Sequence, residues 1–252
     1  MPIYGIVADM HGNLEAFKAV LRALEEIKVD RVVCLGDVVG YNANPNECAA
    51  VLRERGIPTI AGNHDLIAIR RLGTDRCSNK AAYALRRTRQ RLTSETRSFL
   101  STLPPDLVLD DRILLVHGGI RDVQWYMRTP DCIRENARLL QLDRPGVKLC
   151  IFGHTHDPAL YEVTDDSVEP LPPGSHHRLE KDRTYFVNPG SVDASRKVEP
   201  KLAEFAVLNS TTLDLGFHRV AYDDAQAEAK ALREGYRIGK IMRWLYRVFR
   251  RV

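Results

Sequence analysis

Cysteine is scarce in this chain and shows no pattern of pairing. Five cysteines occur among 252 residues, which is an odd number, and no two of them form a C-x-x-C motif. Two of them lie within short apolar runs, where a free cysteine behaves as a small buried hydrophobic side chain. We therefore expect reduced cysteines and a cytoplasmic location. The five are Cys34, Cys48, Cys77, Cys132 and Cys150.

Long hydrophobic stretches are also missing. No uninterrupted apolar run approaches the roughly 18 residues of a transmembrane helix. A strand-like run begins at residue 3, where a cleavable signal peptide would have to lie. Secretion and membrane spanning are therefore not expected. There is no internal repeat or low-complexity linker, and the length and the 44% hydrophobic content suit one large domain with an ample core.

Five short apolar runs each lead into a polar or glycine-containing motif. Their length and composition favour β-strands. Strands buried on both faces show continuous apolar runs, and ligand-binding residues collect at the carboxyl ends of such strands. We therefore predict an α/β fold in which five strand ends converge on one crevice. The runs are Ile3 to Ala8, Arg31 to Leu35, Ile57 to Ile60, Ile113 to Val116 and Val147 to Phe152.

The motifs at these strand ends contain five of the eight histidines. Imidazole, carboxylate and amide oxygen together suit borderline divalent ions such as Mn, Fe, Zn, Co or Ni, whereas Ca would take nearly all oxygen. A lone histidine is usually not a ligand, but the ordered set indicates a metal site. The motifs are Asp9-Met10-His11, Gly36-Asp37, Gly62-Asn63-His64-Asp65, His117-Gly118 and Gly153-His154-Thr155-His156.

In their order and in their residues these motifs resemble those of the calcineurin-like metallophosphoesterases, in particular the compact phosphodiesterase-like branch of bacteria and archaea. The similarity includes a late Asn188-Pro189-Gly190-Ser191 and covers roughly residues 1 to 220. It implies a four-layer α/β/β/α sandwich of two mixed sheets flanked by helices. We expect a catalytic domain over residues 1 to 222, with a helical insertion at residues 66 to 105, and a helical tail at residues 223 to 252.

The resemblance also implies a role for each motif residue. Asp37 would bridge two divalent ions, Mn being the first expectation and Fe, Zn, Ni or Co the alternatives. A hydroxide held between the ions would attack phosphorus in line with the leaving oxygen. His64 would donate a proton to that oxygen or hydrogen-bond a phosphoryl oxygen, or would only support a metal ligand through a hydrogen bond. The first ion would be bound by Asp9, His11 and His156, and the second by Asn63, His117 and His154.

Two residues are candidates for substrate binding. Asn13 follows the first ligands and precedes an amphipathic run, so it can be the N-cap of a helix as readily as a substrate contact. Arg196 follows the Asn-Pro-Gly-Ser turn and can hold a phosphate with its guanidinium fork, although most exposed arginines are solvated. Asp65 can orient a neighbouring imidazole or accept backbone N–H bonds within its own loop.

One departure from the superfamily pattern bears on the substrate. Val39-Gly40-Tyr41 stands where the Ser/Thr phosphoprotein phosphatases carry an Asp-Arg pair. Hydrolysis of small phosphodiesters or nucleotides is therefore the first expectation, with phosphomonoester or phosphoprotein hydrolysis as an alternative. The opposing class is a catalytically silent scaffold that recruits protein, membrane or nucleic acid. Every matching ligand position is filled here, which favours an enzyme.

The C-terminal segment is basic and amphipathic. Residues 236 to 252 contain six basic residues and no acidic one, so that within the net charge of +4 the rest of the chain carries about −2. Apolar residues recur at helical spacing, with basic residues on another face. Such a helix can pack on the domain or on a second copy of the chain, lie on an anionic membrane surface, or bind nucleic acid.

Periodicity predicts the remaining elements. Helices are expected from Leu14 to Ile27, over residues 80 to 90, over residues 94 to 100 before Pro104-Pro105, and over residues 130 to 141. Apolar runs at residues 159 to 161, 184 to 187, 204 to 208 and 212 to 217 are expected to form a second sheet. The polar stretch from Thr164 to Asp182 is predicted to be a loop.

Overall fold

The structure, a computed structural model, describes residues 2–174, 176–194 and 199–237. Within these residues the chain forms eleven strands and seven helices. The strands are β1 (Ile3–Val7), β2 (Arg31–Cys34), β3 (Asp106–Leu109), β4 (Ile113–Val116), β5 (Leu149–Phe152), β6 (Ala159–Val163), β7 (Val168–Leu171), β8 (His176–Arg178), β9 (Thr184–Asn188), β10 (Leu202–Asn209) and β11 (Asp214–Ala221). The helices are α1 (Leu14–Ile27), α2 (Pro45–Glu54), α3 (Asn63–Ala68), α4 (Asn79–Arg91), α5 (Ser94–Thr102), α6 (Pro130–Asp143) and α7 (Asp224–Arg233).

The strands form two mixed sheets. The first has the order β2-β1-β10-β11-β8 and the second the order β3-β4-β5-β9-β6-β7. Strands β1 and β2 are parallel, as are β4, β5 and β9, and the other neighbours are antiparallel. Parallel neighbours end at the same edge of their sheet. The loops that follow β1 and β2 therefore meet, as do those that follow β4 and β5.

Three buried clusters hold the layers together. Ile6 of β1 and Ile151 of β5 belong to the cluster shared by the two sheets. Phe17 of α1 lies in a cluster that covers the first sheet, and Leu140 of α6 lies in one that covers the second. Because side chains alternate along a strand, each sheet has one face for its partner sheet and one for helices. The predicted four-layer sandwich is confirmed.

The prediction that the late strands form a sheet of their own is wrong. Strand β10 pairs antiparallel with β1, with Ile3 opposite Asn209, whereas β9 pairs in parallel with β5, with Leu149 opposite Tyr185. Each sheet therefore combines early and late strands. The late strands satisfy backbone hydrogen bonds that β1 and β5 would otherwise leave open inside the sandwich.

Two local predictions are also wrong. Residues 57 to 60 do not form a strand, because Thr59 makes only an isolated bridge to Cys34 before the chain turns into the site. The predicted loop from Thr164 to Asp182 contains β7 and β8. Strand β7 lies at the edge of the second sheet, where Pro170 is tolerated because an edge strand pairs on one side only.

The helices predicted over residues 14 to 27, 80 to 90, 94 to 100 and 130 to 141 are confirmed, whereas α2 and α3 were not predicted. Asn13 is the N-cap of α1, and its side chain accepts a hydrogen bond from the backbone N of Ala16 at 3.1 Å. Helices α4 and α5 lie in the predicted insertion, and α5 ends before Pro104. All five cysteines are free, and three of them are buried. None of the helices in the described ranges is long and apolar enough to cross a membrane.

The segment after the predicted domain boundary begins with α7, which packs against α1. Beyond α7, Arg237 donates hydrogen bonds to the carbonyl oxygen of Tyr41 at 2.7 Å and to Oδ1 of Asn42 at 2.9 Å. One of the six basic residues is thus bound to the loop between β2 and α2. Residues 238–252 lie outside the described residues, so the predicted tail helix, its partners and the domain boundary remain predictions.

Candidate functional site

Five predicted metal ligands have a left-handed backbone, with φ between 47° and 65°. They lie in the loops after β1, β2 and β5. Residues other than glycine rarely adopt this conformation, which costs about 1–3 kcal/mol each and is common at functional sites. The loops support one another, since the backbone N of Asp9 donates to Gly36 at 3.1 Å and that of Gly153 to His117 at 2.8 Å. The five are Asp9, His11, Asp37, His154 and His156.

Asp9, His11 and His156 form the first group of predicted ligands. All three are buried, and their ligand atoms lie within 4.8 Å of one another. The Nε2 atoms of His11 and His156 are 3.0 Å apart, and Oδ1 of Asp9 lies 3.4 Å from Nε2 of His156. Two imidazole nitrogens and a carboxylate that face the same space are a donor set suited to a borderline divalent ion.

His117, His154 and Asn63 form the second group. Nδ1 of His117 donates to the carbonyl oxygen of Leu35 at 2.7 Å, so its Nε2 is the atom that faces the site, 3.1 Å from Oδ1 of Asn63. The buried Nε2 of His154 has no hydrogen-bond partner in the described part of the chain. Buried polar atoms normally have a partner. An ion coordinated by His117 and His154 would supply it, so these residues fit a metal.

Asp37 lies between the two groups. Its Oδ2 is 3.6 Å from Nε2 of His11 in the first group, and its Oδ1 is 3.4 Å from Nε2 of His117 in the second. Oδ1 also accepts a hydrogen bond from the backbone N of His64 at 2.8 Å. One buried carboxylate therefore faces both groups, at the place expected for a bridging ligand.

Burial and mutual proximity shift the pKa values of these residues. Burial raises the pKa of Asp37, but the imidazoles of His117 and His64 outweigh it and hold that pKa well below its usual range. Burial lowers the pKa of His117, but Asp37 outweighs it and raises the pKa to about 9. Burial and the charge of His117 lower the pKa of His154 to about 3. Asp37 is therefore ionised and His154 neutral at pH 7, the states that bind metal.

His64 lies beside His11 of the first group and beside Asp37, in the first turn of α3. Its ring centroid is 4.6 Å from that of His11 and 4.8 Å from that of Tyr41. A Cβ atom at Gly40 would lie 2.6 Å from Nδ1 of His64, so the ring occupies this place because residue 40 is glycine. A ligand atom of His64 also lies within 4.8 Å of ligand atoms of His11 and Asp37. The imidazole therefore adjoins the predicted metal ligands His11 and Asp37.

The structure gives different outcomes for the candidate substrate contacts. Oδ1 of Asn13 caps α1, and its Nδ2 donates to Oδ1 of Asp193 at 3.0 Å. The N-cap role is thus confirmed, and a contact between Asn13 and substrate stays a prediction. Arg196 lies outside the described residues, so its predicted role as a phosphate clamp stays a prediction as well.

Asp65 has the loop role. Its two carboxylate oxygens accept hydrogen bonds from the backbone N of Val39 at 3.1 Å and of Gly62 at 3.0 Å. Burial and the nearby charge of Asp37 raise the pKa of Asp65 to about 7. The side chain therefore ties the second ligand loop to the third.

Two features near the site come from distant parts of the chain. In the predicted turn after β9, Oγ of Ser191 donates to the carbonyl oxygen of Asp9 at 3.0 Å, so the turn supports the first ligand. The ring of Tyr126 lies 4.0 Å from that of His154 and was not predicted. The signal that could have indicated it is the aromatic pair Trp125-Tyr126 soon after His117-Gly118.

The chain is similar in sequence and structure to several known proteins. A model of the calcineurin-like phosphoesterase superfamily domain matches residues 2–212. An uncharacterized protein of Methanocaldococcus jannaschii is 28% identical over 234 residues, which cover 90% of this chain and 91% of that protein. The crystal structure of a metallophosphoesterase from Sphaerobacter thermophilus is 31% identical, with a TM-score of 0.74 and 96% of each chain covered. A hypothetical protein from Pyrococcus horikoshii OT3 has the same TM-score with 19% identity and 95% of each chain covered, which shows the fold alone.

Proposed function

Since this chain belongs to the calcineurin-like phosphoesterase superfamily, we propose that it is a metal-dependent hydrolase of small phosphodiesters or nucleotides. The observation that carries the proposal is the position of Asp37. One oxygen of this buried carboxylate faces His11 in the first group and the other faces His117 in the second. A carboxylate between two cations relieves their mutual repulsion, so this arrangement supports a centre with two ions.

The donor set supports Mn²⁺ as the first choice, with Fe, Zn, Co and Ni as alternatives, because imidazole, carboxylate and amide oxygen are mixed in it. Divalent ions held by these residues would supply activation of a water molecule as the nucleophile and neutralisation of charge on the phosphoryl oxygens. The chain fixes the donors in advance. The hydrogen bond from His117 to Leu35 sets which imidazole nitrogen faces the site, and the backbone of His154 donates to Oδ2 of Asp9 at 3.0 Å.

The proposed role of His64 is to donate a proton from its imidazole to the leaving oxygen. Both the backbone and the ring of His64 are held in position for this role. Its backbone N donates to Asp37, and its ring lies against those of His11 and Tyr41. Proton donation by a side chain that is already in position contributes about 10²- to 10⁴-fold to rate. A hydrogen bond from His64 to a phosphoryl oxygen would be the alternative use of the same position.

The substrate preference rests on what surrounds the site. Tyr41, which is buried, packs its ring against His11 and His64, in the stretch where phosphoprotein phosphatases carry an Asp-Arg pair. The phosphate-binding arginine of those enzymes is thus replaced by an uncharged ring. This supports a diester, which carries one negative charge, over a phosphoprotein monoester, which carries up to two. Because all seven predicted ligands are present and buried together, they support catalysis over a silent scaffold.

The test compares bis-p-nitrophenyl phosphate with p-nitrophenyl phosphate, using chelated protein resupplied with Mn²⁺. We expect Mn²⁺-dependent cleavage that favours the diester. His64→Ala should lower kcat at least 100-fold while keeping its bound metal. His176→Ala is the matched control, because His176 is an exposed histidine in β8, and it should keep full activity.

Three results would contradict parts of the proposal. No turnover of either ester with Mn²⁺, Fe²⁺, Zn²⁺, Co²⁺ or Ni²⁺ would contradict the reaction. Loss of bound metal from His64→Ala would make His64 a ligand rather than a proton donor. Faster cleavage of the monoester would move the preference to phosphomonoesters.

A further inference from the structure

A large aromatic side chain stands exposed beside the metal-binding residues. Tyr126 has 45% of its surface exposed, yet its ring centroid lies only 4.0 Å from that of the predicted ligand His154, with 35° between the two planes. Its neighbours in sequence, Gln124 and Met127, are buried. The ring is therefore held at the opening of the site instead of being folded into the core.

The loop that carries Tyr126 is held firmly. Arg76 donates to the carboxylate of Asp122 at 2.7 Å and to the carbonyl oxygen of Gln124 at 3.0 Å. After Tyr126 in sequence, the carbonyl oxygen of Arg128 accepts a hydrogen bond from the hydroxyl of Tyr161 at 3.2 Å. With the backbone fixed on both sides, little conformational entropy would be lost when a ligand contacts the ring.

Arg128 extends this surface with a guanidinium group, one nitrogen of which lies 3.6 Å from the carboxylate of Asp157. Its guanidinium carbon lies 5.0 Å from the ring centroid of Tyr126. One of its nitrogens donates to the carbonyl oxygen of Thr155 at 2.8 Å, and Thr155 lies between the ligands His154 and His156 in sequence. An aromatic ring and a guanidinium plane placed together are a surface on which a nucleobase or another flat ring can stack.

The ring of Tyr126 lies against His154 of the second group, whereas that of His64, the proposed proton donor to the leaving oxygen, lies against His11 of the first. We therefore propose that Tyr126 and Arg128 bind the flat ring of the group that the substrate keeps on its phosphate after cleavage. The inference rests on the proposed function, and it narrows the substrate class to phosphodiesters that carry a nucleobase or an aryl ring on the retained side. A phosphodiester whose retained group is a small alkyl group would make no stacking contact with Tyr126 or Arg128. Tyr126 then determines specificity without taking part in bond breaking.

Two diesters with the same leaving group test the proposal. Thymidine 5′-p-nitrophenyl phosphate keeps a nucleobase on the phosphate, whereas p-nitrophenyl methyl phosphate keeps only a methyl group. In Tyr126→Ala, kcat/KM for the thymidine ester should fall about five- to tenfold, as expected for loss of one aromatic stacking contact. The value for the methyl ester should stay within twofold of the wild-type value.

Two variants serve as controls. Tyr126→Phe keeps the ring and should keep the preference for the thymidine ester. Tyr83→Ala removes another exposed tyrosine, one whose hydroxyl donates to Gly235 instead of lying against a ligand histidine, and it should leave the preference unchanged. An equal fall for both esters in Tyr126→Ala would overturn the proposal, because it would show that the ring only supports His154. An unchanged preference for the thymidine ester over the methyl ester in Tyr126→Ala would also overturn the proposal.

A binding measurement separates failure of this inference from failure of the proposed function. If wild-type protein cleaves neither ester, the proposed reaction fails, but calorimetry can still compare thymidine 5′-monophosphate with methyl phosphate in the presence of Mn²⁺. Binding of the nucleotide that weakens at least fivefold in Tyr126→Ala, with methyl phosphate unaffected, would support the stacking surface. Equal affinity of wild-type protein and Tyr126→Ala for thymidine 5′-monophosphate would overturn the proposal.

Discussion

The floor and the rim of the site differ in burial, in backbone conformation and in how they are held. The floor consists of the seven predicted ligands, Asp9, His11, Asp37, Asn63, His117, His154 and His156, which are all buried and of which five have a left-handed backbone. The rim consists of Tyr126 and Arg128, which are both exposed. Loops from several strands hold the floor by bonding to one another, whereas a single loop carries both rim residues.

We infer from this difference that the floor would serve the proposed reaction and that the rim would serve the choice of substrate. Residues in strained conformations persist only where surrounding contacts over-determine their positions, and the interlocked loops of the floor provide such contacts. The rim residues have no such strained backbone conformation, and their side chains are exposed to solvent. Substitutions in the floor should therefore affect metal binding and the reaction itself, and substitutions in the rim should affect the choice of substrate.

The largest effect is expected from Asp37→Asn. The substitution keeps the size of the side chain but removes the negative charge that faces both ligand groups, so bound metal should be lost and kcat should fall about 10³-fold. Metal content after gel filtration and cleavage of bis-p-nitrophenyl phosphate measure the two effects. Asp122→Asn is the control, since Asp122 is a partly exposed carboxylate paired with Arg76 in the rim loop. Similar loss of metal from Asp37→Asn and Asp122→Asn would contradict the proposed difference between floor and rim.

A smaller effect is expected from pH. The pKa of His117 is about 9 in the metal-free protein, because burial, which lowers it, is outweighed by Asp37. Below pH 9 a metal ion must displace this proton, so affinity should rise with pH, about tenfold per unit for one proton, or about 100-fold from pH 6.5 to 8.5. Calorimetric titration of chelated protein with Mn²⁺, in buffers of different ionisation enthalpy, measures affinity and proton release together. Constant affinity without proton release would contradict the coupling of His117 to Asp37.

The smallest effect, about tenfold on kcat, is expected from Gly40→Ala. The added Cβ would lie 2.6 Å from Nδ1 of His64 and 2.7 Å from Nδ1 of His11, so both rings must move, and displacements of this kind slow catalysis. Gly56→Ala is the matched control, because Gly56 has φ of +61° and no atom within 4 Å of the added Cβ. It should lower the melting temperature slightly and leave kcat unchanged. Equal kcat values for the two variants would show that ring placement in the floor is not critical.

Much of the floor was predictable because its motifs are local. Each motif of predicted ligands follows a short apolar run, and a strand followed by a turn is set by neighbours within a few residues. Four of the five runs are strands in the structure. The strand prediction is wrong for residues 57 to 60 because this segment pairs at one position only, between Thr59 and Cys34. A strand exists only where a neighbouring strand pairs with it along its length.

The rim and the supports of the floor were not predictable in the same way. Tyr126 matters because its ring meets His154, and Arg237 because its guanidinium meets Tyr41. Nothing near Arg237 in sequence distinguishes it from the other basic residues of its segment. Residues far apart along the chain meet only when whole elements pack, and periodicity carries no information about such pairs.

The sequence by itself determined the types and the order of the predicted ligands, the helices α1, α4, α5 and α6, and most of the strands that end at the site. Tertiary structure alone decided that late strands divide between the two sheets, that Asp37 faces both ligand groups, and that Tyr126 stands at the opening. The reason is physical. Local structure follows from steric and hydrophobic preferences over a few residues, whereas the relative positions of distant side chains follow from backbone pairing and close packing of the assembled layers.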